Sequence, residues 1–121
     1  MGRPVVDSNI VIDYLLGHAP AVGLLKRLDE ASISIVTWIE VMSGGPPEDE
    51  EVTRQFLGRF ELLPLTADIA AEAAALRRVR RLKLPDAIIW ATARIEGGTL
   101  VTRNTKDFPA GDPDVLVPYR L

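Results

Sequence analysis

The chain has 121 residues, 47% hydrophobic and 26% charged, a composition suited to a folded domain rather than a disordered segment. With no cysteine and one histidine, His18, it excludes disulfide frameworks, thiolate metal centres and His-rich zinc or non-haem iron sites, so any metal has to be held by oxygen. Its net charge of −3 argues against a general nucleic-acid coat protein. Asp7 interrupts the only N-terminal apolar stretch, and no run approaches the roughly 20 residues of a membrane span, so the expected location is the cytoplasm, with no membrane contact.

In chain order, residues 4–7 (PVVD) read as a short buried strand. Residues 9–16 read as a helix capped by Asp7 or Ser8, with Gly17 past its end. A second helix is expected over 20–31, with Val22, Leu24, Leu25 and Leu28 on its apolar side. The β-branched run 33–36 predicts a strand, and Thr37 starts a short helix that stops at Gly44-Gly45. Pro46-Pro47 breaks the chain; the acids 48–51 then suit the first turn of a helix reaching about Arg59. Residues 60–63 predict a strand, and 66–82 the longest helix, Ala-rich and basic at its C-terminal end. Pro85 fits the first turn of the next helix, which ends at Gly97-Gly98. Residues 99–102 predict a strand and 115–117 a last edge strand ended by Pro118. Strands alternating with helices predict a three-layer α/β/α fold around a mainly parallel sheet of four to five strands. No repeat or linker is visible, and residues 1–121 read as one domain.

Four acids, Asp7, Glu40, Asp86 and Asp107, fall where such a fold converges. Each has an ordinary alternative. Asp7 can cap a helix, Thr37-Trp38-Ile39-Glu40 matches a capping box, Asp86 suits a helix start, and Asp107 can cap a turn. Together they point elsewhere, because ligands of open α/β sheets bind beyond the carboxyl ends of the strands. Asp7 ends the first strand, Glu40 follows the second, Asn104 and Asp107 follow the fourth, and Asp86 opens a helix that packs beside it.

Carboxylates gathered in one cleft repel each other unless a divalent cation joins them. Oxygen-only ligands favour Mg²⁺ or Mn²⁺, and the matching chemistry is phosphodiester hydrolysis by a metal-activated water. Ser8 and Asn9 beside Asp7, and Thr102 and Asn104 near Asp107, are candidates to hydrogen-bond the carboxylates or the phosphate. Ser8 and Asn9 can equally serve as helix caps. The run Arg77, Arg78, Arg80, Arg81 and Lys83 leads into Asp86 and would hold a polyanion over the site, unless it is simply a solvated helix end. Arg78, Arg81, Lys83 and Arg103 are the candidate contacts to such a polyanion, while Trp38 and Trp90 are expected in the core.

The segments VVDSNIVIDYL, IVTWIEVMSG and LKLPDAIIWATARIEGGTLVTRNTKDF together resemble the PIN-domain ribonucleases, and most closely the toxins of VapBC-type toxin–antitoxin pairs. The resemblance implies a Mg²⁺- or Mn²⁺-dependent endoribonuclease with Asp7, Glu40, Asp86 and Asp107 as its acidic metal-site residues and Asn104 assisting. It also implies an RNA substrate, a homodimer, and a cognate antitoxin whose C-terminal segment enters the acidic groove. Ser8 stands where many relatives carry Thr, which keeps the hydroxyl. Other readings are aspartyl-phosphate chemistry, a non-catalytic module of the same fold, and a housekeeping PIN nuclease without an antitoxin. The first needs a second Asp two residues after the nucleophile, where this chain has Asn9.

Overall fold

Five short runs form the strands β1 (Pro4–Val6), β2 (Ser32–Ser34), β3 (Glu61–Leu63), β4 (Thr99–Val101) and β5 (Val115–Leu116). They lie in one sheet of order β3-β2-β1-β4-β5, and every pairing is parallel. This computed structural model describes residues 3–121; Met1 and Gly2, counted in the single domain expected from sequence, lie outside the described residues. Six α-helices connect the strands: α1 (Ser8–Leu15), α2 (Ala19–Arg27), α3 (Ile35–Gly44), α4 (Glu50–Leu57), α5 (Ala67–Val79) and α6 (Leu84–Ile95). The expected α/β/α architecture with a parallel sheet is the one observed.

Strand periodicity of two distributes the core over both faces. Val5, Leu63 and Leu100 face α5 and α6, where they meet Ile69, Leu76, Ile89, Trp90 and Phe108. Their neighbours Val6 and Val101, with Ile33, face Ile10 and Val11 of α1, Leu24 of α2, Val41 of α3 and Leu57 of α4. Trp90 is fully buried, edge-on to Phe108 at 5.7 Å, so it is the core residue expected; Trp38 is half-buried under Arg54.

The chain steps from β1 out to β2 and β3, then crosses back to place β4 on the other side of β1. Helices α1–α4 pack on one face of the sheet and α5–α6 on the other, as expected when parallel crossovers run in opposite directions from one strand. The reversal leaves a crevice between the carboxyl ends of β1 and β4, where a parallel sheet offers a ligand site. Pairing of Val6 with Val101 brings the residues that follow, Asp7 and Thr102, to that crevice together.

Several boundaries differ from expectation for identifiable reasons. β2 ends at Ser34, and α3 starts at Ile35, because the Ser34 side chain accepts a hydrogen bond from Val36 N and caps the helix. Ile35 and Val36 are therefore helical despite their β propensity, and Thr37 with Glu40 forms no capping box. α2 stops at Arg27, four residues before Ala31, since Leu28 turns extended and Glu30 adopts a left-handed φ of 55° on the way into β2. α5 stops at Val79, where Arg80 turns extended and sets its guanidinium 4.9 Å over the Trp90 ring. The acids 48–51 span a 3₁₀ turn (Pro47–Asp49) and the start of α4, rather than one continuous helix. Among the described residues no helix is long and apolar enough to cross a membrane.

Candidate active site

Asp7 leaves β1 and caps α1, so the capping alternative describes its backbone correctly without accounting for its side chain. The carboxylate is 4% exposed. One oxygen accepts from Ser8 N at 2.7 Å; the other accepts from Thr102 Oγ1 at 2.7 Å and Asn9 Nδ2 at 3.2 Å. Burial pushes the Asp7 carboxyl up, these hydrogen bonds oppose the shift, and the charge of Glu40 adds to it.

From Asp7 a hydrogen-bonded chain runs both ways. Toward α3, Ser8 Oγ donates to Glu40 Oε1 at 2.5 Å and lies 3.3 Å from Thr37 Oγ1. Toward the loop after β4, Thr102 Oγ1 accepts from Asn104 N at 3.0 Å, and Asn104 Nδ2 donates to Asp107 Oδ2 at 2.9 Å. Asp107 N returns a bond to Asn104 Oδ1 at 3.2 Å, which closes the loop on itself. Three of the four predicted acids are thereby tied into one network with all four predicted supporting residues, Ser8, Asn9, Thr102 and Asn104.

Asp86 joins this network through charge. It lies in the first turn of α6, behind Pro85, where a helix N-terminus tolerates an acid. Burial pushes its carboxyl up to about 6, and Asp7, Asp107 and Glu40 add to the shift in that order, with Lys83 pulling the other way. The fields of all three other acids therefore meet at Asp86.

Among the described residues, no group of three or more His, Cys, Asp or Glu side chains is placed to hold a metal ion as the side chains stand. An open, all-oxygen set still suits a hard cation, since Mg²⁺ keeps several waters and takes one or two protein carboxylates rather than a full cage. Behind the larger effect of burial, Asp7, Asp107 and Glu40 each disfavour a charged Asp86, a repulsion that a hard cation would relieve, so the donor types suit Mg²⁺ or Mn²⁺.

The cations expected from sequence divide into two groups. Arg78, in the last turn of α5, and Arg81 and Lys83, beyond its end, are exposed, and Lys83 is the one whose charge reaches Asp86. Within the same run, Arg77 Nε instead donates to Leu82 O and Arg80 lies over Trp90, so both brace the α5–α6 corner. Arg103 turns inward: Nε and Nη2 donate to the two oxygens of Asp13 at 2.7 and 3.1 Å, and Tyr119 Oη donates to Asp13 Oδ2 at 2.8 Å. Burial alone would raise the Asp13 carboxyl, but Arg103 and Tyr119 outweigh it and hold the group below its ordinary value. Sequence reasoning missed Asp13, Tyr119 and Thr37. A legible signal for Asp13 was its i,i+4 spacing from Asn9 on an otherwise apolar helix face.

Residues 5–111 match the PIN domain family, a span that contains all four acids. Among solved structures, a chain in a toxin–antitoxin complex from Klebsiella pneumoniae is 43% identical, over 98% of this chain and 99% of that one, with a TM-score of 0.92. FitAcB from Neisseria gonorrhoeae is 25% identical over 98% and 99%, with a TM-score of 0.77. VapBC2 from Rickettsia felis, solved bound to a DNA fragment from their promoter, shares the fold at 22% identity over 93% and 95%, with a TM-score of 0.78. No curated protein matches the chain. On a match that covers residues 5–111, with the crevice and the loop that carries Asp107, the chain belongs to the PIN domain family.

Proposed function

We propose that this chain, acting as one domain, is a Mg²⁺- or Mn²⁺-dependent endoribonuclease and the toxin of a toxin–antitoxin pair. The observation that supports this most directly is the continuous hydrogen-bonded path from Glu40 through Ser8, Asp7, Thr102 and Asn104 to Asp107 at the crevice between β1 and β4. Asp7, Glu40, Asp86 and Asp107 would hold the cation, and a bound cation would supply an acidified water as nucleophile and neutralise charge on the phosphate.

The protein's own part is orientation. Thr102 and Asn9 fix one oxygen of Asp7 and the Ser8 amide fixes the other, so the carboxylate cannot rotate away from the crevice. Ser8 holds Glu40 in place. Exposed Arg78, Arg81 and Lys83 would engage the RNA backbone electrostatically, without reading its sequence. Arg103, expected as a further contact, would serve RNA only by leaving Asp13.

The toxin reading draws on the kinship with chains of toxin–antitoxin complexes and on a groove beside the site. Ile12 and Leu15 of α1, Leu16 just past its end, Val41 of α3 and Val52 of α4 line an open cavity of about 480 Å³ that has Glu40 on its wall. Leu16 and Val52 are each 70% exposed, an arrangement that suits a partner's apolar segment. An antitoxin segment laid there would reach the acids directly. Homodimerisation belongs to the same reading.

Incubating purified protein with total RNA and Mg²⁺ or Mn²⁺, beside EDTA and Asp86→Asn controls, tests the activity. Discrete fragments that disappear in both controls are expected. Fragments that persist in EDTA would sink the metal-dependent mechanism, and full activity in Asp86→Asn would remove that residue from it.

A further inference from the structure

Asn9 and Asp13 stand one helical turn apart on α1, so their side chains share a face. Both grip the same residue. Asn9 Oδ1 accepts from Arg103 N at 3.2 Å, while the Asp13 carboxylate accepts the forked pair from the Arg103 side chain. Asp13 is 3% exposed, and Tyr119, from the segment after β5, supplies its third hydrogen bond. Arg103 is flanked by Thr102, which bonds Asp7, and Asn104, which bonds Asp107.

We propose that Asp13, Arg103 and Tyr119 form a positioning lock that fixes the loop of residues 102–107 against α1 and thereby sets Asp107 and Asn104 in register with Asp7. This deepens the nuclease reading and rests on it. The three are positioning residues: none touches the crevice, and each acts through the loop. A bidentate guanidinium–carboxylate pair fixes both distance and plane, which a lysine ammonium cannot do. One lock therefore serves two halves of the site, because the backbone of Arg103 is held through Asn9, itself a partner of Asp7. The closing contact comes from Tyr119, far along the chain, so the site is completed only when the segment after β5 has docked.

The test compares wild type with Asp13→Asn, Arg103→Lys and the milder Tyr119→Phe, each checked for fold by circular dichroism. Arg94→Lys is the control. Arg94 also joins distant segments, through Glu72 at 3.3 Å and Asp112 at 3.7 Å, but away from the acids. Mn²⁺ titrated into each protein is expected to bind about 10–100-fold more weakly in Asp13→Asn and Arg103→Lys, as when groups behind a metal ligand are removed, with a smaller loss in Tyr119→Phe. Arg94→Lys should leave Mn²⁺ affinity unchanged even where it lowers the melting temperature. Hydrogen exchange in metal-free protein should quicken at the amides of Arg103, Asn104 and Asp107 in the three lock variants and nowhere else near the crevice. Wild-type Mn²⁺ affinity in Asp13→Asn and Arg103→Lys, or an equal loss in Arg94→Lys, overturns the lock. If wild type itself binds no Mn²⁺, the metal-dependent reading falls, and the exchange data decide the lock alone: unchanged exchange at those amides rejects it.

Discussion

Asp86 concentrates the site's electrostatic strain in one carboxyl. Its proton is held up to about pH 6, whereas an unfolded Asp releases it near ~3.9. Between those values the folded chain binds more protons than the unfolded one, so this group's contribution to stability is fully present below the unfolded value. It is lost as pH rises to about 6 and stays lost above. Asp7, also raised, acts with the same sign. Asn mimics the protonated form at every pH. Metal-free Asp86→Asn should therefore melt progressively higher than wild type between pH 5 and pH 7, by on the order of a few °C, since partial exposure screens the effect. A difference that stays constant over that range would show that Asp86 does not carry the strain. Millimolar Mg²⁺ should reverse the order by favouring the ionised site, raising the wild-type melting temperature while leaving Asp86→Asn nearly unmoved. Equal Mg²⁺ shifts in both proteins would place the cation elsewhere.

Elements deliver these side chains only if the strands keep their register, and the link from α6 to β4 is where that register is most sensitive. Gly97 ends α6 at a left-handed φ of 68°, and a Cβ on Gly98 would collide with Arg3 O and stand 3.2 Å from Val5 Cγ2. Gly98→Ala should therefore force β4 away from β1, cost about 1–3 kcal/mol in urea unfolding, and separate Thr102 from Asp7. Gly44→Ala, where a Cβ meets nothing within 4 Å, is the matched control. Equal stability of the two variants would refute the close approach. The same local detail separates what could be read in the sequence from what could not. Alternation of apolar runs with Gly and Pro breaks disclosed the strands and a mainly parallel sheet, because those signals are local, but not the order of the strands. The start of α3 was misplaced because Ile35-Val36 carries β propensity, while the deciding bond, Ser34 to Val36 N, depends on a serine that also suits a strand. The acids could be picked out as candidates because Asp7 and Asp107 follow strands, Asp86 opens a helix and Glu40 lies within the helix that follows β2. The contacts among Asp13, Arg103 and Tyr119 were not, because they span 90 and 106 residues of chain; the helical spacing of Asp13 from Asn9 marks Asp13 alone and names neither partner.

For the molecule as a whole, the net charge of −3 hides an uneven distribution, and that unevenness decides how a polyanion can approach. Acids line the crevice and supply Glu40 and Asp49 to the groove, and they would repel RNA without a cation. Arg78, Arg81 and Lys83 project from the α5–α6 corner, with Lys83 close enough to act on Asp86. Arg77 and Arg80 are committed to Leu82 O and to Trp90, so the run is not a uniform basic patch. Neutralising the outward pair should thus release RNA phosphates without loosening the corner. Arg78→Ala with Arg81→Ala is expected to weaken RNA binding uniformly across sequences and to reduce the steepness of log affinity against log salt by about 1–2, roughly one unit for each phosphate no longer neutralised. Binding is best measured in Ca²⁺, with Asp86→Asn as background, so that cleavage does not intrude. Thermal stability should hold within about 0.5 kcal/mol, as for surface changes away from caps and cores. Replacing Arg80 alone should do the opposite, lowering stability through the exposed Trp90 face with little change in the salt slope. If the double variant keeps the wild-type slope, the cationic corner is a solvated helix end, and RNA has to reach the acids from the side of the groove instead.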